Sequence, residues 1–160
     1  MEAVLQQLTT SLQQMWGWEM IAVILAIAYL VLAMRQNILC WYAAFVSTAI
    51  YTLLFWKVSL VMDSALNVYY MGMAIYGWWQ WRRGGLGGDG VKVHSWPVHW
   101  HLAALSAIAV LTLASGAWLS QNTDAAWPYA DSFTTWASVF TTWLVAKKIL
   151  ENWIYWIVID

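Results

Sequence analysis

The 160 residues of this chain are 62% hydrophobic and only 9% charged, whereas soluble domains are about 45–50% apolar and about 25% charged. This composition excludes a disordered chain, which would be polar and rich in charge. The net charge of −1 argues against binding to nucleic acid, which requires a concentrated basic face. A single cysteine, Cys40, excludes an internal disulfide framework and a zinc site built from cysteines. The chain is therefore predicted to be an integral membrane protein.

Charged residues and helix breakers divide the chain into apolar spans. Residues 1–17 are mostly polar, and we expect a tail or a short interfacial helix there. Apolar spans follow at 18–34, 38–56, 60–81, 101–119 and 130–146, with a shorter sixth from about 151 to 160. Their lengths suit helices that cross about 30 Å of hydrocarbon, so we expect an all-α integral membrane fold. The glycine-rich stretch 84–90 is predicted to be a flexible loop.

The basic residues predict an orientation. Only Lys57 lies on one side of the alternating spans, and the other six lie on the opposite side: Arg35, Arg82, Arg83, Lys92, Lys147 and Lys148. Because cytoplasmic loops carry the excess of Lys and Arg, we expect the N-terminus outside and the 84–100 loop in the cytoplasm. The aromatic run from Tyr76 to Trp81 is typical of the belt at a membrane interface.

Two stretches of the chain resemble each other. Glu19 and Arg35 bracket the first span, and Asp131 and Lys147 bracket the fifth with the same spacing, at an offset of 112. Asn-x-x-x-Trp follows each span, at 37–41 and at 152–156, with an offset of 115. This predicts parallel three-helix units, as in some transporters: a first unit at 18–83, a loop at 84–100, a linking helix at 101–120 and an incomplete second unit at 130–160. A last helix is expected near residues 178–196, so the sequence is expected to be partial.

Polar side chains inside the spans should face protein or a cavity, because a charge at the bilayer centre costs about 2.5–3.5 kcal/mol. Three sets recur at helical spacing: Asp63, Asn67 and Tyr70; Asp131, Thr135, Ser138 and Thr142; Asn152, Trp156 and Asp160, with Trp153 beside them. Each of these residues also has a possible structural role. The Ser and Thr hydroxyls of the fifth span could bond between helices, and Asp63 and Asp131 could contact water at the ends of their spans. Trp153 and Trp156 could belong to the aromatic belt at the membrane interface.

Other constellations are weak. His94, His99 and His101 cluster around Pro97 without a helical ligand spacing, so we expect no metal. The sequence contains no nucleophile elbow, P-loop or zinc-protease helix. We therefore expect neither an enzyme nor a cofactor.

The chain resembles the PnuC-type nicotinamide riboside transporters in five segments: LAMRQNILCW at 32–41, DSALNVYY at 63–70, YGWWQW at 76–81, DSFTTW at 131–136 and ENWIYWIVID at 151–160. The resemblance implies a SWEET-like plan of two three-helix units, a homotrimer in the bacterial inner membrane and no nucleic-acid partner. It also implies facilitated diffusion of nicotinamide riboside for NAD biosynthesis, with trapping by cytoplasmic phosphorylation.

The substrate that the resemblance implies accounts for the candidate residues. Trp153 and Trp156 can attract and stack on a pyridinium cation, and Asn152 and Asn67 can donate to and accept from a carboxamide or a ribose. Further candidates for the hydroxyls are Tyr70, Asp131, Thr135 and Asp160. Thiamine and riboflavin also present flat rings, so another vitamin remains an alternative. Two other modes of transport are also alternatives: a substrate-capture subunit of an ATP-driven importer, and an ion-coupled transporter.

Overall fold

The computed structural model describes residues 17–57, 61–85, 87–123 and 126–159. It contains six helices: α1 (Gly17–Met34), α2 (Cys40–Lys57), α3 (Val61–Arg83), α4 (Val98–Asn122), α5 (Pro128–Ala146) and α6 (Asn152–Ile159). Within these ranges the only β pairing is an isolated bridge between His94 and Ile149. The prediction of an all-helical fold is confirmed, and each helix lies within a few residues of a predicted span.

The chain forms two compact units, one ending at Ile75 and the other beginning at Tyr76, so the division falls inside α3. In the first unit α1 packs on α2. Ala22, Ala33, Cys40 and Ala43 are buried there, and such small residues let two backbones approach closely. The hydroxyl of Ser47 donates to the carbonyl of Ala22 at 2.9 Å and joins the two helices.

The α1–α2 and α5–α6 turns share one backbone hydrogen-bond pattern. The N–H of Gln36 donates to Ala33 O and that of Asn37 to Leu32 O, which is a Schellman motif. Both bonds recur at an offset of 112, from Lys148 N to Val145 O and from Ile149 N to Leu144 O. The residues at the left-handed position are not glycines: φ is 55° at Gln36 and 56° at Lys148.

This match continues at the start of the following helix. The N–H of Cys40 donates to Asn37 O, and that of Asn152 donates to Ile149 O, again at an offset of 112. Trp41 therefore corresponds to Trp153. The Asn-x-x-x-Trp pairing at an offset of 115, which equated Trp41 with Trp156, is not the register in which the backbone recurs.

In the second unit, α5 packs against both α4 and α6. The indole N–H of Trp136 donates to Ser115 Oγ at 3.0 Å across the α4–α5 contact. Gly116 lies against the ring of Tyr129, where any Cβ would collide with the ring. The α4–α5 contact therefore depends on the absence of a side chain at residue 116.

The glycine-rich segment between α3 and α4, which the composition predicts to be a flexible loop, is hydrogen-bonded at both ends. The N–H groups of Gly84 and Val91 both donate to Gln80 O, at 2.9 and 3.1 Å. Gly90 has a φ of 87°, and a Cβ there would collide with the carbonyl of Trp81. Beyond it, His94 N donates to Lys148 O and Leu150 N donates to His94 O. The segment before α4 is thereby joined to the α5–α6 turn.

Two of the described helices, α1 and α4, are long and apolar enough to cross a membrane, judged by length and composition. Large apolar side chains cover their outer faces, with Ile24 58% and Val110 66% exposed. Exposed apolar patches of this extent mark contact with lipid or protein.

Candidate functional site

The first turns of α6 carry three of the predicted site residues. Asn152 and Trp156, at i and i+4, share one face of the helix, and Trp153 lies about 100° around the helix from Asn152. Asn152 is 5% exposed. Its Nδ2 donates to Ile149 O, whereas its Oδ1 is buried and has no hydrogen-bond partner. Both indoles are half-buried.

Helix α5 supplies further buried hydroxyls. Ser138 and Thr142 of the predicted stripe are buried, and Thr142 Oγ1 donates to Ser138 O at 2.8 Å. Thr141 is fully buried and its Oγ1 has no partner. A buried polar atom left unpaired costs about 1–3 kcal/mol. Thr141 and Asn152 are therefore two polar groups of the second unit that would gain from a bound ligand, and the buried Oγ of Ser132 is a third.

The spacing from Asp131 did not identify Thr141, because Thr141 lies one position before the stripe that passes through Ser138 and Thr142. Asp131 itself is exposed in the first turn of α5 and Thr135 is half-buried. Asp131 and Ala146 are separated by about 22 Å along the axis of α5. Asp131 therefore lies at the opposite end of α5 from the turn that leads to Asn152.

The other predicted site residues divide between the first unit and the undescribed part of the chain. Asn67 is half-buried on α3 and donates from Nδ2 to Asp63 O at 2.9 Å. The ring of Tyr70 lies 5.8 Å from that of Tyr69, centroid to centroid. Asp160 lies outside the described residues.

A second polar cluster, not predicted from the sequence, joins α4 to α6. His101 Nδ1 lies 3.0 Å from the hydroxyl of Tyr155, and its Nε2 lies 3.9 Å from Glu151 Oε2. The N–H of Trp96 donates to the same carboxylate oxygen at 3.4 Å. Burial opposes ionisation of Glu151, but hydrogen bonds from the backbone of Glu151 and Trp96 and from the Ser95 side chain, with His101 nearby, lower its pKa below the usual value.

The aromatic run at the end of α3 does not behave as a uniform interface belt. Trp79 is 48% exposed, but Trp81 is only 8% exposed, and its indole N–H donates to Val145 O at 3.3 Å. The ammonium of Lys148 lies over its ring, 4.3 Å from the centroid. Trp81 thus anchors the end of α3 on the end of α5.

In the described part of the chain, no three His, Cys, Asp or Glu side chains gather as metal ligands would. The described candidate residues of the second unit include an amide on α6, hydroxyls on α5 and two indoles on α6. Such groups bind an organic molecule by stacking and hydrogen bonds.

Comparison with known proteins assigns the chain to a family. Residues 16–160 match the family model described as nicotinamide mononucleotide transporter. The chain belongs to this family. The resemblance to the PnuC-type transporters is confirmed, and the chain is accordingly a membrane protein of a transporter family.

Two individual relatives are similar to the chain. It is 26% identical over 147 residues to the riboflavin/roseoflavin transporter RibM of Streptomyces davaonensis, an alignment that covers 89% of this chain and 68% of RibM. A crystal structure of the vitamin B3 transporter PnuC superposes with a TM-score of 0.75 at 22% identity, covering 97% of this chain and 68% of that one. The structural likeness shows the shared fold.

Proposed function

We propose that the protein carries nicotinamide riboside across the bacterial inner membrane by facilitated diffusion. The observation that carries this proposal is the unpartnered, buried Oδ1 of Asn152 next to an indole at Trp153, in a chain of the PnuC-type vitamin transporter family. An amide oxygen without a partner is an acceptor for a carboxamide or a ribose hydroxyl. The indole face attracts the pyridinium with about 0.5–2 kcal/mol.

The remaining candidate residues would complete the binding of the ribose. Thr141 joins the set because its hydroxyl is fully buried and unpaired. Asn67, Tyr70, Thr135 and Trp156 stay in the proposal as side chains that can hydrogen-bond or stack. Asp131 and Asp160 remain proposed for the hydroxyls, with Asp131 serving the outer end of the path because it is exposed near the start of α5.

Riboflavin is the alternative substrate, favoured by the similarity to RibM. Its flat ring would stack on the same indoles and its ribityl hydroxyls would use the same amide. The two vitamins differ in charge, since only nicotinamide riboside offers a fixed cation for the attraction to an indole.

Trapping on the inner side follows from charge. Phosphorylation adds about two negative charges at neutral pH, which the side chains proposed for the site do not offset, so the product would not return. We further propose a homotrimer, an outer N-terminus and a parallel duplication of the SWEET type. The recurrence of the Schellman turn of Gln36 at Lys148 supports the duplication.

Uptake into liposomes that contain only this protein tests the transport mode. Nicotinamide riboside should enter until its concentrations inside and outside are equal, with or without a pH gradient. No uptake would favour the capture subunit of an ATP-driven importer, and accumulation above equality under a pH gradient would favour ion coupling. Parallel assays with riboflavin and thiamine identify the vitamin.

Trp153→Ala tests the site. Loss of the indole should weaken nicotinamide riboside binding about 3- to 30-fold, because cation–π attraction is worth about 0.5–2 kcal/mol. Titration with tryptophan fluorescence measures the affinity. Trp118→Ala is the matched control, since Trp118 is 62% exposed on α4. Equal affinity of the Trp153 variant and the control would refute the assignment of Trp153.

Asn152→Ala tests the hydrogen-bonding half of the site. We expect vitamin affinity to fall about 2- to 13-fold, since one hydrogen bond contributes about 0.5–1.5 kcal/mol. Asn122→Ala is the control, because Asn122 is exposed at the end of α4 and its Nδ2 donates to Trp118 O of its own helix. Unchanged binding in the Asn152 variant would remove this residue from the site.

A further inference from the structure

Helix α4 holds the start of α6 through the side chain of His101. This residue is in the first turn of α4, and its ring contacts two residues, Tyr155 through Nδ1 at 3.0 Å and Glu151 through Nε2 at 3.9 Å. When the Tyr155 hydroxyl donates to Nδ1, the ring proton lies on Nε2, on the side of the carboxylate. Neutral His101 can therefore make both contacts at once.

The two contacts lie one turn apart on one face of α6. Glu151 immediately precedes the helix, and Tyr155 is four residues further along. Two contacts on one face fix the rotation of a short helix about its axis, whereas a single contact would let the helix turn. Asn152 follows Glu151 in the sequence, so its side chain leaves the helix about 100° around the axis from Glu151. The direction of the Asn152 amide therefore depends on these two contacts.

The carboxylate of Glu151 is itself held by the segment before α4. Its Oε2 accepts from Trp96 N at 3.4 Å, and the Ser95 side chain also bonds to the carboxylate. The Trp96 ring packs against Phe140 and Trp143 of α5, with centroids 6.2 and 5.6 Å away. Glu151 is thus engaged within the protein, and it fixes the beginning of α6 to its surroundings.

Beyond the first turn, α4 and α6 are separated by a cavity of about 360 Å³. Leu105 and Ile108 of α4 line it on one side, and Ile154 and Val158 of α6 line it on the other. In the described part of the chain, the side chains of these two helices therefore do not fill the space between them. Close packing on α4 cannot set the rotation of α6 there, which leaves this role to the polar contacts of His101.

We propose that His101 is a positioning residue for the vitamin site, and that it directs the Asn152 amide through Tyr155 and Glu151. This inference rests on the proposed function, in which the buried Oδ1 of Asn152 accepts a hydrogen bond from the vitamin. Hydrogen bonds weaken steeply when donor and acceptor are misaligned, so a small rotation of α6 would weaken that bond.

Tyr155→Phe removes only the hydroxyl and tests the proposal. Isothermal titration calorimetry of the full chain in detergent measures the affinity for nicotinamide riboside and for riboflavin. The affinity for the vitamin that the wild-type chain binds should fall about 2- to 13-fold, as the loss of one hydrogen bond allows. In an Asn152→Ala background the same change should lower affinity less than about twofold, because residues that act through each other are not additive. Tyr129→Phe is the control, since Tyr129 is 47% exposed on α5.

Substitution of His101 adds a test by rescue. His101→Leu should weaken vitamin binding at least as much as Tyr155→Phe does. His101→Asn should restore most of the lost affinity, because its amide is attached at the same carbon as Nδ1 and can bond the Tyr155 hydroxyl. If His101 served only to fill space, leucine would be the better replacement. His99→Leu, at an exposed position in the same turn of α4, should bind as the wild-type chain does.

Hydrogen exchange follows the same contacts without a vitamin. Residues 152–157 should exchange faster in Tyr155→Phe than in the wild-type chain. Unchanged exchange, unchanged affinity, an equal loss of affinity in the Asn152→Ala background, or better binding by His101→Leu than by His101→Asn would each overturn the positioning role and leave the vitamin site in place. A wild-type chain that binds neither vitamin would refute the proposed function, and this inference with it.

Discussion

Asn152 engages only half of its amide in the protein. Its Nδ2 holds the α5–α6 turn through Ile149 O, while its Oδ1 stays buried without a partner. Cys40, which occupies the equivalent position of the α1–α2 turn, is also fully buried but offers no amide. The two turns therefore have the same main-chain hydrogen bonds but different side chains at this position. The second unit has the polar residue, Asn152.

Asparagine has different structural roles in the two Asn-x-x-x-Trp stretches. The offset of 115 pairs Asn37 with Asn152 by residue type, although the two residues are not equivalent in the main chain. Asn37 is exposed, and its Oδ1 accepts from Leu39 N at 2.9 Å, as in a local turn. Asn152 is buried inside the following helix. Residue identity matched the two asparagines, whereas the backbone matches Asn37 with Ile149.

Glu151 gives a prediction for pH. Hydrogen bonding lowers its pKa below the usual 4.5, so its ionised form stabilises the fold at pH above that value, and this contribution is lost as the pH falls through the lowered pKa. At neutral pH, Glu151→Gln should lower the melting temperature by about 2–4 °C, equivalent to about 1 kcal/mol.

Thermal unfolding in detergent from neutral to acidic pH measures this difference. It should disappear at pH well below 4.5, where wild-type Glu151 is protonated too. Asp89→Asn, in the exposed loop, should differ little from the wild-type chain throughout. A gap for Glu151→Gln that persists undiminished in acid would show that the carboxylate charge is not the source of stability.

Among the elements, the helices were predictable because charges end them. Arg35 and Lys147 follow the ends of α1 and α5 immediately, and Arg83 ends α3. The attachment of residues 91–97 to the α5–α6 turn was not predictable from the sequence. It uses main-chain hydrogen bonds of His94, which do not depend on the type of side chain. Thr141 was missed for a similar reason, because its full burial depends on how α5 packs in the folded chain.

Substitution of two helical glycines by alanine should have opposite effects on stability, because the space around the two residues differs. Gly116→Ala places a Cβ against the Tyr129 ring, so we expect a loss of about 1–2 kcal/mol in the free energy of unfolding. Gly72→Ala meets nothing within 4 Å, and it should gain about 0.5–1 kcal/mol because alanine loses less entropy in a helix.

Melting temperatures of the two variants in the same detergent compare these effects directly. The Gly116 variant should unfold below the wild-type chain and the Gly72 variant above it. Stabilisation by both substitutions would mean that the Tyr129 ring moves aside freely and that the α4–α5 contact does not depend on Gly116.

At the scale of the whole molecule, composition alone identified a membrane protein, and the family match agrees. The proposed orientation rests on the distribution of basic residues and can be tested by labelling. In a Cys40→Ala background, Asp89→Cys should react with a membrane-impermeant maleimide from the cytoplasmic side only. Asn122→Cys, at the far end of α4, should react from the outer side only. The reverse labelling pattern would invert the assigned orientation.

The paired Schellman turns have a consequence for engineering. Because the hydrogen bonds and left-handed φ angles at Gln36 and Lys148 coincide, we expect that residues 35–39 and 147–151 can be exchanged for each other. A chimaera with the sequence of residues 147–151 at positions 35–39 would carry a glutamate at position 39. We expect its main chain to keep the same turn, so that side chains of one unit could be introduced into the other.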